Sequence, residues 1–388
     1  MAPSTSYDLI IVGGGIVGAS VAWHATQAGL RTLVIDATGP AAGASGASDG
    51  AVAVATKKPG LMAALAGESL RYAIALSGVG GVLNGCFHRR PSFLFATHPL
   101  ELAALDRLAR MLAEPGLPVT LKADTGARQA AVSGLGDAVL RVLELDGEGH
   151  MTGYDATLAF LRASGADLRW PCRLDGFDTR NGRVDLHTSR GVLTAARLVI
   201  ANGLGAAALL PDLPISPRSG QLVITERAAP MGFPHLAGAL TSAAYLLDKT
   251  TAQPTTGLPA PVVIDPLTTG QLLIGSSRED GGNSQSTDFA AVRRILHSAV
   301  ACLPALSQRR IIRVFAGVRA ACGDGIPIVG AFSSAPNVTV ATGFEGDGIC
   351  LAPLIGREVV RGLSGQAVLP GLAALSPDRF NSKQVSIR

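Results

Sequence analysis

Residues 7–37 have the sequence YDLIIVGGGIVGASVAWHATQAGLRTLVIDA, which runs from an apolar stretch through a glycine turn into a periodic apolar segment and a second apolar stretch. The pattern predicts a buried strand over residues 9–12 and a helix over residues 16–28. A second strand is predicted over residues 32–35, ending at Asp36. A strand, a glycine turn, a helix and a strand in this order predict a βαβ unit.

The glycines of this turn, Gly13, Gly15 and Gly18, match the spacing G-x-G-x-x-G between a predicted strand and a predicted helix. The first permits a tight turn, the second admits a pyrophosphate to the backbone, and the third lets the helix pack closely on the strand. The helix N-terminus offers N–H donors to phosphates, and Asp36 is placed to accept hydrogen bonds from a ribose 2′-hydroxyl. The segment predicts a dinucleotide site rather than a glycine turn without a ligand, and alone it does not distinguish NAD from FAD.

Composition limits the class of protein. The chain has 388 residues, enough for one large or two medium domains. No apolar run reaches the roughly 18 residues of a membrane-spanning helix, and the first residues lack the features of a secretory signal. The five cysteines are widely spaced without a C-x-x-C pair, which predicts a cytoplasmic protein with no self-contained metal site. A net charge of +4 without basic runs does not indicate nucleic-acid binding.

A loop of small residues follows Asp36. Residues 37–50, ATGPAAGASGASDG, expose backbone N–H groups and hydroxyls with little steric bulk. The loop lies directly after the predicted ribose-binding acid. Its position favours contact with a cofactor over the alternative of a flexible linker.

The rest of the chain alternates helix and strand signals. Helices are predicted over residues 61–76, 101–112, 153–163, 289–302 and 349–363. Strands are predicted over residues 51–56, 167–174, 195–201, 221–225, 244–247, 262–264, 271–276, 310–315 and 337–341, with a hairpin at Asn181-Gly182. The last strand is followed by a second glycine loop and a helix, whose N-terminus would point at the same cofactor. A nucleotide domain assembled from distant parts of the chain favours FAD over NAD.

These signals predict an α/β protein, α+β as a whole, with a Rossmann-like FAD-binding domain and a second domain built on an antiparallel sheet. The FAD-binding domain is predicted to be discontinuous and to comprise residues 1–90, 140–220 and 310–388. The substrate-binding domain is predicted to comprise residues 91–139 and 221–309.

Taken in order, the motifs resemble those of the D-amino-acid-oxidase-like FAD-dependent oxidoreductases, which include glycine oxidase, sarcosine oxidase and D-amino-acid dehydrogenase. The resemblance covers nearly the whole chain and rests on residues 11–18, 43–46, 199–203, 220–221, 317–319, 324–327, 330 and 341–349. Within the family, residues 45–60 and 343–349 are most similar to β subunits of heteromeric dehydrogenases acting on D-hydroxyproline and on opines, with the related hydrogen-cyanide synthase subunit.

The resemblance implies a bound FAD. No Cys or His is placed for covalent attachment, so dissociable, non-covalent FAD is expected. The cofactor-binding positions implied are Gly13, Gly15, Ile16, Val17, Gly18, Asp36, Ala44, Ser45, Ser48, Asp49, Gly50, Cys172, Ala201, Asn202, Gly203, Arg319, Gly346, Asp347, Gly348 and Ile349.

The resemblance also implies the reaction. A D-amino acid, a cyclic imino acid or an opine would give up its α-hydrogen as hydride to flavin N5, leaving an imine that water hydrolyses. An α subunit and small iron–sulfur partners are implied as well. The alternatives are a stand-alone oxidase that uses O₂ and a flavin-binding structural subunit with a decayed substrate site.

Two residues are candidates for the reaction itself. Arg319 matches the family arginine that binds the substrate carboxylate, for which a guanidinium fork is well suited; the alternative is a surface ion pair. Tyr245 lies in a predicted strand from which it would reach a substrate, or else is a buried structural tyrosine. Cys322 is expected to be a small buried thiol rather than a redox-active one.

The chain also departs from the family. Phe344 replaces a common histidine, and Gly346 stands where glycine oxidase has an arginine. The contacts that glycine oxidase makes from this loop are therefore not carried over to this chain.

Overall fold

The structure is a computed structural model that describes residues 7–113, 116–126, 132–227, 236–248, 260–283 and 286–380. The expectation that no secretory signal is present falls on residues 1–8, of which 1–6 lie outside the described residues. The helices are α1 (Ile16–Gln27), α2 (Leu61–Leu76), α3 (Pro99–Leu112), α4 (Gly153–Ser164), α5 (Ala206–Leu209), α6 (Ala244–Asp248), α7 (Phe289–Cys302) and α8 (Gly348–Leu363).

The strands range from two to twelve residues in length, and the longest of them lie from the middle of the chain onward. They are β1 (Tyr7–Val12), β2 (Thr32–Ile35), β3 (Ala51–Val52), β4 (Phe87–Arg89), β5 (Ser92–Ala96), β6 (Thr120–Gly126), β7 (Arg141–Asp146), β8 (Gly149–Met151), β9 (Asp167–Arg169), β10 (Leu174–Arg180), β11 (Arg183–Thr188), β12 (Gly191–Ile200), β13 (Ile215–Thr225), β14 (Ala239–Ser242), β15 (Val263–Pro266), β16 (Leu272–Gly275), β17 (Glu279–Asp280), β18 (Ile311–Cys322), β19 (Ile328–Phe332) and β20 (Ala335–Thr342).

The apolar stretch at the start of the chain forms the centre of an eight-stranded sheet. Its order is β10-β11-β12-β1-β2-β9, with β20 also paired to β12 and β19 paired to β20. β1 is parallel to both β2 and β12. Leu9 and Ile11 face the core that includes α1 and α8, whereas Ile10 and Val12 face the opposite core. Burial on both faces explains the continuous apolar run of β1, and the predicted α/β class with a Rossmann-like sheet is confirmed.

A nine-stranded sheet, largely antiparallel, is the second large sheet of the molecule. Its order is β17-β13-β16-β15-β14-β5-β7-β6, with β18 on the other side of β13. β13 and β18 pair over most of their length and place Gly220 opposite Gly317 and Arg218 opposite Arg319. α7 packs its buried side chains, among them Ile295, against this sheet. The predicted division of the chain into two domains remains a prediction.

Several elements were predictable because their signals are local. α2 and α7 begin and end where the apolar periodicity does. The hairpin of β10 and β11 turns at Asn181 and Gly182, both with positive φ, +51° and +71°. Such turns favour the Asn-Gly pair because both central residues must adopt the left-handed region.

The strand predicted over residues 244–247 is wrong, because these residues begin α6. The run Ala-Tyr-Leu-Leu has no β-branched residue, and four apolar residues show no period that separates a strand from a helix. The strand in this region is β14, which ends at Ser242. Tyr245 therefore lies on a helix and not on a sheet.

Several other predicted strands differ in length, among them the three described next. Over residues 51–56 the strand ends at Val52, because the N–H groups of Val54 and Ala55 donate to Glu148 Oε1 instead of to a neighbouring strand. β9 ends at Arg169, ahead of the Trp170-Pro171 pair, where proline has no N–H to donate. β18 runs beyond the predicted end at residue 315 as far as Cys322, so Arg319 lies within a strand.

Candidate functional site

A cavity of about 650 Å³, here called the larger cavity, lies at the carboxyl ends of the parallel strands. Its wall includes the turn after β1, the acid after β2, the turn after β12 and the loop after β20. In open α/β sheets this edge is where ligands bind. The wall thus brings together the first, middle and last parts of the chain.

The glycine turn after β1 is closely surrounded by backbone. Gly13 has a φ of +112°, and a Cβ at this position would lie 2.5 Å from the carbonyl oxygen of Ala201. A Cβ at Gly18 would lie 2.0 Å from the carbonyl oxygen of Gly13. Only glycine fits either position, and Gly18, which lies within helix α1, packs against the turn and is not part of the cavity wall.

The N-terminus of α1 faces the larger cavity through Gly15, Ile16 and Val17. The Ile16 N–H donates to Ser45 Oγ at 3.0 Å. Ser48 Oγ donates in turn to the Ser45 carbonyl oxygen at 2.8 Å. These bonds fasten the small-residue loop over the start of the helix.

The Asp36 carboxylate lies at the end of β2 and lines the same cavity. Its Oδ2 accepts from the Gly14 N–H at 2.7 Å. Its Oδ1 accepts from the N–H groups of Thr38 and Gly39, both at 2.8 Å. The carboxylate is thereby fixed between the turn and the loop, and its contact with a ribose remains a prediction.

The turn after β12 supplies the opposite wall. Asn202 Oδ1 is buried and accepts no hydrogen bond from the part of the chain that the structure describes. Thr342 Oγ1 donates to the Gly203 carbonyl oxygen at 2.8 Å and joins this turn to β20. A buried acceptor without a donor fits a site whose ligand supplies one.

Most of the predicted cofactor positions meet in this wall. The larger cavity is lined by Gly13, Gly15, Ile16, Val17, Asp36, Ala44, Ser45, Ser48, Asp49, Cys172, Ala201, Asn202, Gly203, Arg319, Gly346, Gly348 and Ile349. Three predicted positions lie elsewhere. Gly18 packs against the turn, Gly50 faces the His150 ring, and Asp347 lines a neighbouring cavity.

That neighbouring space, the smaller cavity, has a volume of about 100 Å³ and shares Asp49, Ser276, Arg319 and Gly346 with the larger one. Its other walls come from the antiparallel sheet, from the segment that includes β3 and Lys57, from Asp347 and from Tyr245 on α6. The two cavities therefore meet at Arg319.

The guanidinium of Arg319 is held by two residues that follow β16, a strand of the same sheet. Nη2 donates to the Ser277 carbonyl oxygen at 2.8 Å and to Ser276 Oγ at 3.3 Å. Gly220, on the adjacent strand, leaves room for it, since a Cβ there would lie 2.2 Å from Nη2. The predicted carboxylate-binding arginine is thus fixed in orientation where the cavities join.

Glu345 is a residue that the sequence did not reveal. Its Oε1 lies 3.3 Å from Arg319 Nη1, 3.7 Å from Arg278 Nε and 3.8 Å from Arg218 Nη1. Burial acts to raise the pKa of Glu345, but the charges of Arg278 and Arg319 outweigh it and lower that pKa below its usual value. The arginines are distant in sequence, so no local pattern indicates the cluster.

Lys57 is a second residue that sequence reasoning missed. Its Nζ lies 2.8 Å from Asp347 Oδ1; the Lys57 side chain is buried and that of Asp347 is partly buried. Burial alone would lower the pKa of Lys57, yet the Asp347 carboxylate raises it. The pair joins the segment after β3 to the start of α8 and forms part of the smaller cavity.

Tyr245 and Cys322 are both engaged in the structure. The Tyr245 hydroxyl donates to the Ser276 carbonyl oxygen and accepts from the Ser276 N–H, each at 2.9 Å. Burial raises the pKa of Tyr245, and its hydroxyl supports the strand end that also holds Arg319. Burial raises the pKa of the Cys322 thiol to about 11, which keeps it protonated near neutrality.

The helices among the described residues are short or carry polar side chains. Among the described residues, no helix combines the length and the apolar character needed to cross a membrane.

Comparisons with known proteins agree with this geometry. Residues 8–361 match the family described as FAD dependent oxidoreductase. Glycine oxidase of Bacillus licheniformis is 24% identical over 93% of this chain and 94% of its own length. The hydrogen cyanide synthase subunit HcnC of Pseudomonas aeruginosa is 25% identical over 98% of both chains.

A solved structure has the same fold. The crystal structure of glycine oxidase from Geobacillus kaustophilus superimposes with a TM-score of 0.84, covering 98% of this chain and 99% of its own. Its sequence identity is 23%. The match therefore extends over nearly the whole fold.

Proposed function

The chain belongs to the family of FAD-dependent oxidoreductases, and we propose that it oxidises the C–N bond of a D-amino acid, a cyclic imino acid such as D-hydroxyproline, or an opine. The observation that carries this proposal is Arg319, a guanidinium fixed by Ser276 and Ser277 where the two cavities meet. A guanidinium held in this way suits a substrate carboxylate.

The residues of the larger cavity fit FAD. Gly15 and the N-terminus of α1 would receive the pyrophosphate, and Asp36 would hold the adenosine ribose. Asn202 Oδ1, a buried acceptor without a donor among the described residues, would receive one from the cofactor. When bound, FAD supplies the acceptor for the two electrons of the oxidation.

Non-covalent attachment is part of the proposal. The only cysteine among the described residues of the wall is Cys172, whose N–H donates to the Asp36 carbonyl oxygen at 2.7 Å. It therefore lies at the predicted adenosine end, away from Arg319.

The chain's own contribution to the reaction is positioning. Arg319 would bind the substrate carboxylate at the junction, so that the carbon bearing the nitrogen faces the larger cavity. The Tyr245 hydroxyl, bonded to Ser276, would act through the strand end that orients Arg319. Holding the reacting atoms in place is a large share of what such a site can contribute.

We further propose that the chain is the catalytic β subunit of a hetero-oligomeric dehydrogenase, with an α subunit and iron–sulfur partners, in the cytoplasm. The similarity to a subunit of hydrogen cyanide synthase supports this assembly. None of the five cysteines, all of which the structure describes, forms a disulfide, and this supports a reducing compartment.

A stand-alone oxidase that reduces O₂ is the second candidate. The similarity to glycine oxidase over nearly the full length of both chains favours it. Phe344 and Gly346, which differ from the glycine oxidase pattern, would then indicate a different substrate.

Anaerobic reduction of the purified yellow protein tests the proposal. D-amino acids, prolines and opines are mixed with it separately, and the loss of the visible absorbance of the oxidised flavin is followed. Bleaching by a member of this panel supports the proposal, and a flavin that none of them reduces overturns it. Peroxide formed in air by the isolated chain would identify the oxidase, whereas turnover only with an artificial acceptor would identify the dehydrogenase.

A further inference from the structure

The Glu345 carboxylate lies beside the proposed carboxylate-binding arginine and has no assigned role. We propose that Glu345 binds the nitrogen of the substrate while Arg319 binds its carboxylate, so that the two side chains together recognise an amino or imino acid. This inference rests on the proposed function and specifies how the same site selects its substrate.

The distances favour such a division of labour. Glu345 Oε1 lies 3.3 Å from Arg319 Nη1, and both side chains line the larger cavity. In an α-amino acid a single carbon separates the carboxylate from the nitrogen. A carboxylate bound on Arg319 therefore brings the nitrogen within hydrogen-bonding reach of a group that itself contacts Arg319.

The contacts of Glu345 leave it able to accept a closer donor. Its distances to the arginines run from 3.3 to 3.8 Å, whereas charge-assisted N–H···O bonds are about 2.7–2.9 Å long. Arg218 has a nearer partner in Asp280, at 2.8 Å. A substrate ammonium could thus form a shorter bond with Glu345 than any of the arginines does.

The charge of Glu345 indicates that this carboxylate would bind the substrate nitrogen and would not remove its proton. Arg278 and Arg319 lower the pKa of its carboxyl despite burial. The group is therefore ionised near neutral pH and is a weak base. A carboxylate of this kind binds a cationic nitrogen, and it is poorly suited to removing the proton.

The backbone holds the two side chains in a fixed relation. Glu345 has a φ of +48°, a left-handed backbone conformation that is unfavourable for a non-glycine residue. Its N–H donates to the carbonyl oxygen of Ala320 at 2.8 Å, the residue after Arg319. The loop thus keeps an unfavourable conformation that positions a carboxylate beside the arginine.

The test compares two ligands on the wild type and on Glu345→Gln. D-proline carries the nitrogen, and cyclopentanecarboxylate has the same ring with carbon in its place. Dissociation constants are measured on the oxidised holo-protein from the flavin difference spectrum, by stopped flow for D-proline so that binding is seen before any reduction.

We expect Glu345→Gln to weaken D-proline about 10- to 100-fold, as for the loss of a charged hydrogen bond, and to leave cyclopentanecarboxylate unchanged or tighter. Tighter binding of both ligands would show that Glu345 merely competes for Arg319 and would overturn the inference. Equal weakening of both, or no change in either, would show a structural role only and would overturn it as well.

Two further variants keep the test decisive. Asp280→Asn removes another carboxylate beside one of these arginines, Arg218, on an exposed side chain, and should affect the two ligands equally. If Glu345→Gln does not retain FAD, Glu345→Asn removes the charge with a residue that tolerates positive φ. If no amine reduces the flavin of the wild type, the proposed function itself is wrong. If an amine reduces the wild type but Glu345→Gln has the same ligand preference as the wild type, only this inference is wrong.

Discussion

Arg319 shows how a single side chain is prepared for a ligand. The carbonyl oxygen of Ser277 and the hydroxyl of Ser276 both take hydrogen bonds from its Nη2. Gly220 removes the side chain that would otherwise occupy the same space. Because the guanidinium is already oriented, a carboxylate that binds it loses little free energy in ordering the protein.

Replacing Arg319 by alanine should raise KM about 10- to 100-fold, since a hydrogen-bonded charge pair is lost. The flavin should stay bound, because the turn after β1 and the Asp36 carboxylate remain. Arg319→Lys should be intermediate, as it keeps the charge and loses the fork. KM with the best panel substrate and the ratio of flavin to protein absorbance measure both effects; unchanged kinetics in Arg319→Ala would remove this residue from the site.

Gly18 is required because neighbouring atoms leave no room for a side chain, and not because of its backbone conformation. A Cβ there would lie 2.0 Å from the Gly13 carbonyl oxygen and 3.3 Å from Ile11 Cγ2. Gly18→Ala should therefore lower the free energy of unfolding by about 1–3 kcal/mol and reduce flavin retention, since the turn must move. Gly176→Ala, on β10 with no atom within 4 Å, is the matched control. Thermal denaturation and flavin content of both variants check this, and equal behaviour would contradict it.

At the scale of elements, α1 is joined to α2 by a buried histidine. His24 Nδ1 lies 2.8 Å from the Ser20 carbonyl oxygen, and Nε2 lies 2.9 Å from the Tyr72 hydroxyl. Burial lowers the pKa of His24 to about 4. The ring is therefore neutral in the folded protein over a range of pH in which an unfolded chain would bind a proton.

The sign of this pKa shift predicts acid sensitivity. The pKa of His24 falls from 6.5 in the unfolded chain to about 4 in the folded protein, so the free energy of unfolding should decrease as pH falls through that window. The decrease is at most about 3 kcal/mol from this group, and His150, whose pKa is also lowered to about 4, adds to it. In denaturant titrations across these pH values, the free energy of unfolding of His24→Gln should depend less steeply on pH. Tyr72→Phe keeps His24 buried and should retain the steeper dependence. A slope unaltered by His24→Gln would contradict the assignment.

How much could be predicted depended on how local the signals were. The glycine turn, α2, α7 and the Asn181-Gly182 hairpin follow from residues close in sequence. The apolar run at residues 244–247 was ambiguous, and only its packing made it helical. β18 extends as far as its pairing with β13, and this pairing joins residues that are distant in sequence.

The candidate site was predictable to the same degree. The turn, Asp36 and Arg319 belong to motifs with fixed spacing, and the structure brings them to one cavity. Glu345 and Lys57 were missed because each is defined by partners distant in sequence. Charge clusters of this kind become visible only when the chain is folded.

At the scale of the whole molecule, the larger cavity is assembled from segments that lie far apart along the chain. Gly13, Asn202 and Gly346 all line it. A ligand that contacts all three is bound by the folded chain and hardly at all by the unfolded one. Binding should therefore stabilise the entire fold.

Added FAD should raise the thermal denaturation midpoint, by the equivalent of about 2.7 kcal/mol when free FAD is 100 times its dissociation constant. Because attachment is proposed to be non-covalent, acid precipitation should release the flavin into the supernatant, where its absorbance is measured. NADH is the control for an unspecific dinucleotide effect. Flavin that remains with the precipitated chain would show a covalent bond and contradict the proposal.

The parallel pairing of β1 with β12 has a consequence for synthesis on the ribosome. Val12 pairs with Ile200, so the central strand emerges long before one of its two neighbours has been translated. At about 5–20 residues per second, the wait is on the order of tens of seconds. During that time one edge of an apolar strand has no native partner. The nascent chain is therefore expected to depend on chaperones that cover this edge, and to acquire its flavin only when translation is nearly complete.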